Sequence, residues 1–155
     1  MNLSRLRLGE LVGGAAAVGL LVTLFLGWNR DLAPLADGGP STHSGWGALG
    51  WLMVLLLLVV IALAFALVAT TVGRSPAALP IGAAVLTTGV GIIVAIVLIV
   101  RVLLLDDALG TAYVGLALGV LIPVGGWITM ADERTEAPYS AAPDLPRRPA
   151  PPAEA

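Results

Sequence analysis

The chain contains no cysteine and a single histidine, His43. Without thiols it forms no disulfides, iron–sulfur clusters or thiolate zinc sites and has no thiol nucleophile. A metal site needs several converging ligands, which one histidine does not supply. Serines and acids near His43 share its loop, where no helix or strand fixes the geometry of a catalytic triad. Walker, dinucleotide-binding and HExxH motifs are also absent. The sequence therefore predicts no metal, no cofactor and no enzyme.

Charge is scarce as well. Only 12% of the residues are charged, against roughly a quarter in soluble domains. Arginine supplies all of the positive charge, the formal net charge is −2, and Arg147 and Arg148 are the only adjacent pair of basic residues. This pattern argues against nucleic acid as a partner. With 58% hydrophobic residues, the chain is expected to be an integral membrane protein with the lipid bilayer as its first partner.

Four apolar runs make up most of the chain. Each is long enough to cross a bilayer core of about 30 Å at about 1.5 Å per residue. The first run is longer than a signal-peptide core and has no convincing cleavage site after it. The sequence therefore predicts an all-α fold, an integral membrane four-helix bundle with short loops. Its spans are residues 8–28, 46–72, 79–105 and 109–130.

The segments outside the spans are polar and short. Residues 1–7 form a head, and residues 29–45 are dense in turn-forming residues, which predicts an irregular loop. Residues 131–155 contain six prolines, a composition typical of a disordered tail. The tail is expected to be solvated. The alternative is a docking segment, because four of these prolines fall three apart and a polyproline II helix would present them along one edge to a partner. They are Pro143, Pro146, Pro149 and Pro152.

The arginines predict the orientation. Arg5 and Arg7 precede the first span, Arg74 lies between the second and third, and Arg134 follows the fourth. On the other side of the membrane, only Arg30 lies in a loop. By the positive-inside rule, both termini are expected in the cytoplasm of a multi-pass protein of the cell (inner) membrane.

The aromatic residues suggest where the membrane interfaces lie. Trp28, Trp46 and Tyr113 are expected at the outer interface and Trp127 at the inner one, since aromatic side chains gather at the headgroups. Trp51 lies deeper than Trp46 and is expected to turn towards the bundle.

Each span carries a row of small residues four apart, which lets helix backbones approach closely in a membrane. Three rows lie towards the cytoplasmic side and one towards the outside, which suggests a bundle that is tight inside and wider outside. The rows are Gly9, Gly13 and Ala17; Ala62, Ala66 and Thr70; Ala83, Thr87, Gly91 and Ala95; and Thr111, Gly115 and Gly119.

Arg101 is the main candidate site residue, because an ionisable residue inside a span usually pairs, lines a cavity or binds an anion. Acids follow it in sequence, and Asp31 or Asp37 in the first loop are alternative partners. The other interpretation is an interfacial anchor, with its stem on apolar surface and its guanidinium at the lipid phosphates. The candidate ligand or ion-pair residues are Arg101, Asp106, Asp107, Trp46 and Trp51.

Glu10 lies near the start of the first span, about a membrane thickness from Arg101, so the two are not expected to pair. It is either a proton-coupled carboxylate or a first-turn glutamate favoured by the helix dipole. The second interpretation is preferred, because Glu10 is not deep in the span.

Four features occur together in this chain: Leu24-Phe25-Leu26-Gly27-Trp28-Asn29, the run from Ser44 to Trp51, an arginine late in the third span, and Gly125-Gly126-Trp127. In this set the chain resembles small four-span bacterial membrane proteins of unknown function that are common among actinobacteria. The resemblance implies the topology and no activity. The expected function is a non-catalytic structural or interaction role in the cell envelope, with other membrane proteins or a second copy as partners. The alternative is a small oligomeric transporter or channel subunit with Arg101 near an outward-facing cavity.

Overall fold

The computed structural model describes residues 7–31, 41–72 and 78–136. These residues are mostly helical, which confirms the all-α class. The elements, in chain order, are α1 (Leu8–Thr23), β1 (Gly27–Asp31), β2 (Ser41–Ser44), α2 (Gly45–Ala48), α3 (Trp51–Val72), α4 (Ala78–Leu103) and α5 (Gly110–Glu136).

Three helices of the described chain are long and apolar enough to cross a membrane: Trp51–Val72, Ile81–Leu103 and Gly110–Asp132. α1 is also apolar but has only 16 residues, about 24 Å at helical rise, which is shorter than a hydrocarbon core of about 30 Å. The helices therefore support a membrane-embedded protein, and the fourth crossing stays a prediction.

The first predicted span, residues 8–28, divides into a helix, a turn and the start of a strand. α1 ends at Thr23, and the next three N–H groups donate to carbonyls of its last turn. Trp28, expected at the membrane interface, is instead fully buried (0% exposed). Its indole N–H donates to the carbonyl of Thr23 at 2.6 Å. Hydrophobicity alone does not separate a helix from a buried strand, so the sequence did not reveal this break.

The long helices pack in a ring in which α1 contacts α3 and α5, and α4 contacts the same two helices. The α1–α5 interface is the most extensive and brings backbones into contact. A Cβ added to Gly9 would lie 2.6 Å from the carbonyl oxygen of Gly125, and one added to Gly125 would lie 2.6 Å from the backbone nitrogen of Gly13. Only glycine allows this approach.

Three of the four small-residue rows face other helices. The row of α1 is buried, and most of the rows of α4 and α5 is buried too. The row of α3 is the exception, because Ala62 and Ala66 are exposed. This helix turns larger side chains towards the core instead, so its row reflects an alanine-rich composition rather than an interface. The buried residues of α3 are Met53, Val54, Leu57, Val60, Ile61, Ala64 and Leu67.

The strands form an antiparallel pair in which Arg30 lies opposite Thr42. The turn between α4 and α5 joins β1 from its other side. There the Asp107 carbonyl accepts the N–H of Arg30 at 3.2 Å, and the Trp28 carbonyl accepts the N–H of Leu109 at 2.8 Å. We call β1, β2 and residues 104–109 the cap, and the end of the bundle that carries them the cap end.

The prediction of an irregular loop over residues 29–45 is therefore wrong at both of its ends. The turn-forming residues concentrate between 32 and 40, which lie outside the described residues. The flanking segments pair as strands because backbone N–H and C=O groups at an apolar bundle end need partners.

The bundle does not widen at the centre of the cap end as expected. Trp28 fills this end, with Leu24, Leu98 and Val102 fully buried in the same core. Its ring packs directly on Gly115 of α5, where no side chain intervenes. The bundle is therefore filled at both ends: by closely packed backbones of α1 and α5 at the end opposite the cap, and by the side chain of Trp28 at the cap end.

The boundaries of the last segment also differ from the prediction. α5 continues to Glu136, so the first residues of the predicted tail, 131–136, are helical. The sequence Ala-Asp-Glu-Arg-Thr-Glu has no helix breaker before Pro138, and a helix usually ends before a proline. Residues 1–6, 73–77 and 137–155, including the four regularly spaced prolines, lie outside the described residues.

Candidate functional site

Arg101 lies in the last turn of α4, where its Nη2 donates a hydrogen bond to the carbonyl oxygen of Leu49 at 2.9 Å. Leu49 is the C-cap of α2, and the predicted span 46–72 is broken immediately after it. The cation therefore satisfies a carbonyl at the end of a short helix, a position that also favours positive charge.

Gly50 makes this hydrogen bond possible. Its φ of +77° lies in the left-handed region that side chains disfavour, and the chain uses it to end α2 and begin α3 at Trp51. The Gly50 carbonyl then accepts the N–H of Val54 at 3.1 Å, which starts the ladder of α3. Arg101 thus joins α4 to the junction between α2 and α3.

The two acids that follow Arg101 in the sequence do not pair with it. Asp106 and Asp107 are exposed in the cap, and neither forms an ion pair with Arg101 in the part of the chain that the structure describes. Asp107 has a φ of 51° and offers its carbonyl to β1. Asp37 lies outside the described residues, and of Asp31 only the backbone, which pairs with Ser41, is described. Sequence proximity failed as a guide because the chain reverses after Leu103.

A pocket of about 310 Å³ opens beside Arg101, between the α2–α3 junction and α4. Trp51, Leu52, Met53 and Val97 contribute apolar walls, and Arg101 brings its only ionisable side chain. The first N–H groups of α3 have no acceptor within that helix. Its lining residues include no nucleophile or carboxylate, and the guanidinium is the charged group that a molecule in the pocket would meet.

The two candidate tryptophans do not form one site. Trp51 lines the Arg101 pocket and is 78% exposed, so the expectation that it turns into the bundle is wrong. The helical phase of α3 directs Met53 and Leu57 inwards instead. Trp46 packs edge to face on Phe25, with the ring centroids 5.3 Å apart.

Glu10 is a buried group that the sequence interpretation undervalued. Its side chain is 2% exposed. Oε2 accepts the backbone N–H of Arg7 at 3.0 Å, and Oε1 lies 2.8 Å from the hydroxyl of Thr71 at the end of α3. One feature of the sequence points to this contact. The Thr70-Thr71 pair lies at the end of the second predicted span, on the same side of the membrane as Glu10 at the start of the first.

A second groove, of about 350 Å³, lies between α4 and α5 beside Pro123 and Trp127. Thr88 and apolar side chains line it, without a titratable group. The ring of Pro123 packs against Gly91. Among the described residues, no group of three or more His, Asp or Glu side chains is placed to hold a metal ion.

No family model matches the chain, and neither a curated protein nor a solved structure matches it. The resemblance to four-span actinobacterial proteins therefore stays a prediction.

Replacing Arg101 with leucine is expected to lower the free energy of unfolding by about 1 kcal/mol. Hydrogen bonds to charged groups contribute about 1.5–3 kcal/mol, and solvent screening reduces this for an exposed guanidinium. Hydrogen exchange should rise at the first amides of α3, where the α2–α3 junction loses its contact with α4. The matched control is Arg30→Leu, an exposed arginine in β1, expected to stay within about 0.5 kcal/mol. Equal exchange in the two variants would contradict this role of Arg101.

Proposed function

We propose that this protein is a multi-pass protein of the inner membrane with a non-catalytic structural or interaction role in the cell envelope. In this proposal, four spans cross the bilayer, both termini are cytoplasmic, and the cap faces outwards. Its partners are the lipid bilayer and other membrane proteins, or a second copy of the chain.

The observation that supports this role is the apolar, filled centre of the bundle. Side chains that are at least 98% buried occupy it from the middle of α1 to the cap, among them Leu20, Trp28, Leu57, Leu98 and Ile122. The buried hydroxyls of Thr23 and Thr129 are bonded to carbonyls of their own helices. Transport by one chain needs a polar or water-filled path, and these described residues offer none.

The outer surface provides extensive area for contacts. Large apolar side chains cover the exposed faces of α3, α4 and α5, as expected where lipid or another membrane helix is the neighbour. The Arg101 pocket adds a cation at the cap end without the groups needed for acid–base or nucleophilic chemistry.

A transporter or channel subunit is the second candidate, favoured by the Arg101 pocket itself. A cation beside a pocket of about 310 Å³ at the proposed outer mouth could attract anions. Because the centre of one chain is filled, a path of this kind would have to form between copies.

Reconstitution into liposomes distinguishes these two functions. We expect chloride and phosphate flux no greater than in empty liposomes, because the described residues form no polar path across the bundle. We also expect Arg101→Leu to leave both flux and assembly state unchanged. Arg30→Leu is the matched control. Flux that Arg101→Leu abolishes, while the assembly mass in mild detergent is unaltered, would overturn the proposal in favour of transport.

The interaction role has its own test in the native membrane. A photoreactive residue replaces Ile96 in the α4–α5 groove or, as the matched position, Leu55 on α3; both side chains are exposed. A discrete protein adduct, either a second copy or another membrane protein, supports the proposed role. Lipid adducts alone from both positions would contradict a protein partner at these faces and leave the bilayer as their neighbour.

A further inference from the structure

Glu10 is held at the end of the bundle opposite the cap. Its neighbour Gly9 packs against Thr129 and the carbonyl of Gly125, which fixes the start of α1 on α5. From there the carboxyl group reaches α3, where Oε1 lies 2.8 Å from the Thr71 hydroxyl oxygen. The contact joins residues 61 positions apart in the sequence, so it belongs to the tertiary structure.

The Thr71 hydroxyl has two acceptors within reach but a single proton. Its oxygen lies 2.8 Å from Oε1 of Glu10 and 3.0 Å from the carbonyl oxygen of Leu67, so it donates to only one of them at a time. The Leu67 carbonyl keeps a hydrogen bond in either case, because the hydroxyl of Thr70 also donates to it at 2.9 Å.

Two hydrogen-bond arrangements fit the same heavy-atom positions. With Glu10 ionised, the Thr71 hydroxyl donates to Oε1. With a proton on Oε1, the carboxylic acid donates to the Thr71 oxygen, and the Thr71 hydroxyl donates to the carbonyl of Leu67. In both arrangements Oε2 accepts the N–H of Arg7 at 3.0 Å. A proton can therefore be added or removed without leaving a buried polar atom of this group unpaired, which would cost stability.

We propose that Glu10 is a reversible proton-binding site, and that its proton reverses the direction of the hydrogen bond between α1 and α3. The ligand is one proton, taken up by the carboxylate to give the neutral acid. The ionised form has a charge-assisted bond to α3 and the neutral form an ordinary one, so the strength of the α1–α3 contact follows the proton. Proton binding here is independent of the role proposed above.

Among the described residues, few charged groups surround this site. Arg7 is the N-cap of α1, α3 contributes no titratable side chain, and Asp132 lies one turn beyond Thr129 on α5. Arg7 and Asp132 have interactions of their own. Among the described acids, Asp132 is the one that an experiment has to distinguish from Glu10.

Infrared difference spectra of the protein in lipid, recorded between acidic and alkaline pH, test the site directly. We expect a carbonyl stretching band of a protonated carboxylic acid that disappears in Glu10→Gln and persists in Asp132→Asn. Thr71→Val should shift the frequency of this band, because the acid loses its acceptor, whereas Thr71→Ser should keep it. A full-length chain with no band that depends on Glu10, or a band insensitive to Thr71→Val, would overturn the proposal. Because Thr71→Val retains Glu10, the test does not depend on the folding of Glu10→Gln alone.

Crosslinking tests the coupling to the helix contact, since the natural chain has no cysteine. A Cβ added to Gly14 would lie 3.1 Å from a methyl carbon of Val68, one turn from the Glu10–Thr71 bond. Cysteines are placed at these two positions in the natural background and in Glu10→Gln, and the crosslinking rate is measured in both. The ratio of the two rates should change about 3- to 10-fold with pH, because a charge-assisted hydrogen bond is about twice as strong as a neutral one. Taking the ratio removes the pH dependence of the thiols themselves. A constant ratio would overturn the coupling.

Discussion

Gly125→Ala is expected to lower the free energy of unfolding by about 3 kcal/mol or more. The added methyl group would lie 2.6 Å from the Gly13 nitrogen and 2.6 Å from the Gly9 carbonyl oxygen. Overpacking a core costs about 1–3 kcal/mol when side chains can yield. Here the neighbours are backbone atoms of α1, so the helices have to separate. Because α1–α5 is the most extensive interface, unfolding in mixed micelles should show the loss.

Gly89→Ala is the matched control for this prediction. Gly89 lies within α4, and an added Cβ would meet no atom within 4 Å. The substitution should therefore be neutral or should stabilise by up to about 1 kcal/mol, because alanine favours a helix. Similar losses at the two glycines would show that the α1–α5 backbone contact is not what Gly125 provides.

Trp28→Ala is expected to be about as severe, with a loss of about 3–5 kcal/mol, as for other large-to-alanine changes in cores. Trp28 is fully buried, and its ring packs against Gly115 and Gly45. Because these neighbours have no side chains, they cannot fill the space that the ring would leave. The carbonyl of Thr23 also loses the indole N–H that lies 2.6 Å from it. Equilibrium unfolding, with the thermal midpoint as a second measure, should report the change.

The other tryptophans provide the comparison for Trp28. Trp51 and Trp127 are 78% and 62% exposed, so alanine at either position should change the free energy of unfolding by no more than about 0.5 kcal/mol. An equal loss at Trp28 and Trp51 would contradict the burial of Trp28. The position of Trp28 matters for the candidate site as well, because this side chain closes the centre of the cap end and leaves the Arg101 pocket at the side.

Local sequence features predicted a helix well where an apolar run is also long enough to cross a membrane. The apolar runs that became α3 and α4 have the residue types, the length and the flanking glycine or proline that a membrane helix needs. The small-residue row of α1 also predicted an interface, since Gly9 and Gly13 contact α5. The same rule failed for Ala62 and Ala66, because a row of alanines permits a close contact without requiring one.

The candidate site was only partly predictable. Arg101 stood out as an ionisable residue in a span, and it does lie beside a pocket. Its hydrogen-bond partner is a backbone carbonyl 52 positions earlier in the chain, and any residue at Leu49 would present the same group. Glu10 was recognised as a glutamate in a first helical turn, whereas its burial depends on Thr71 and on the packing of α5.

The sequence by itself determined that this is an apolar, helical, membrane-embedded chain without thiol chemistry, because composition and the length of apolar runs are local quantities. Only the tertiary structure decided that α1 ends at Thr23, that Trp28 is buried rather than interfacial, and which groups Arg101 and Glu10 bind. The reason is that lipid and protein interiors are almost equally apolar. Hydrophobicity therefore does not tell a lipid-facing side chain from a buried one, and the partner of a polar group is set by whichever distant segment packs against it.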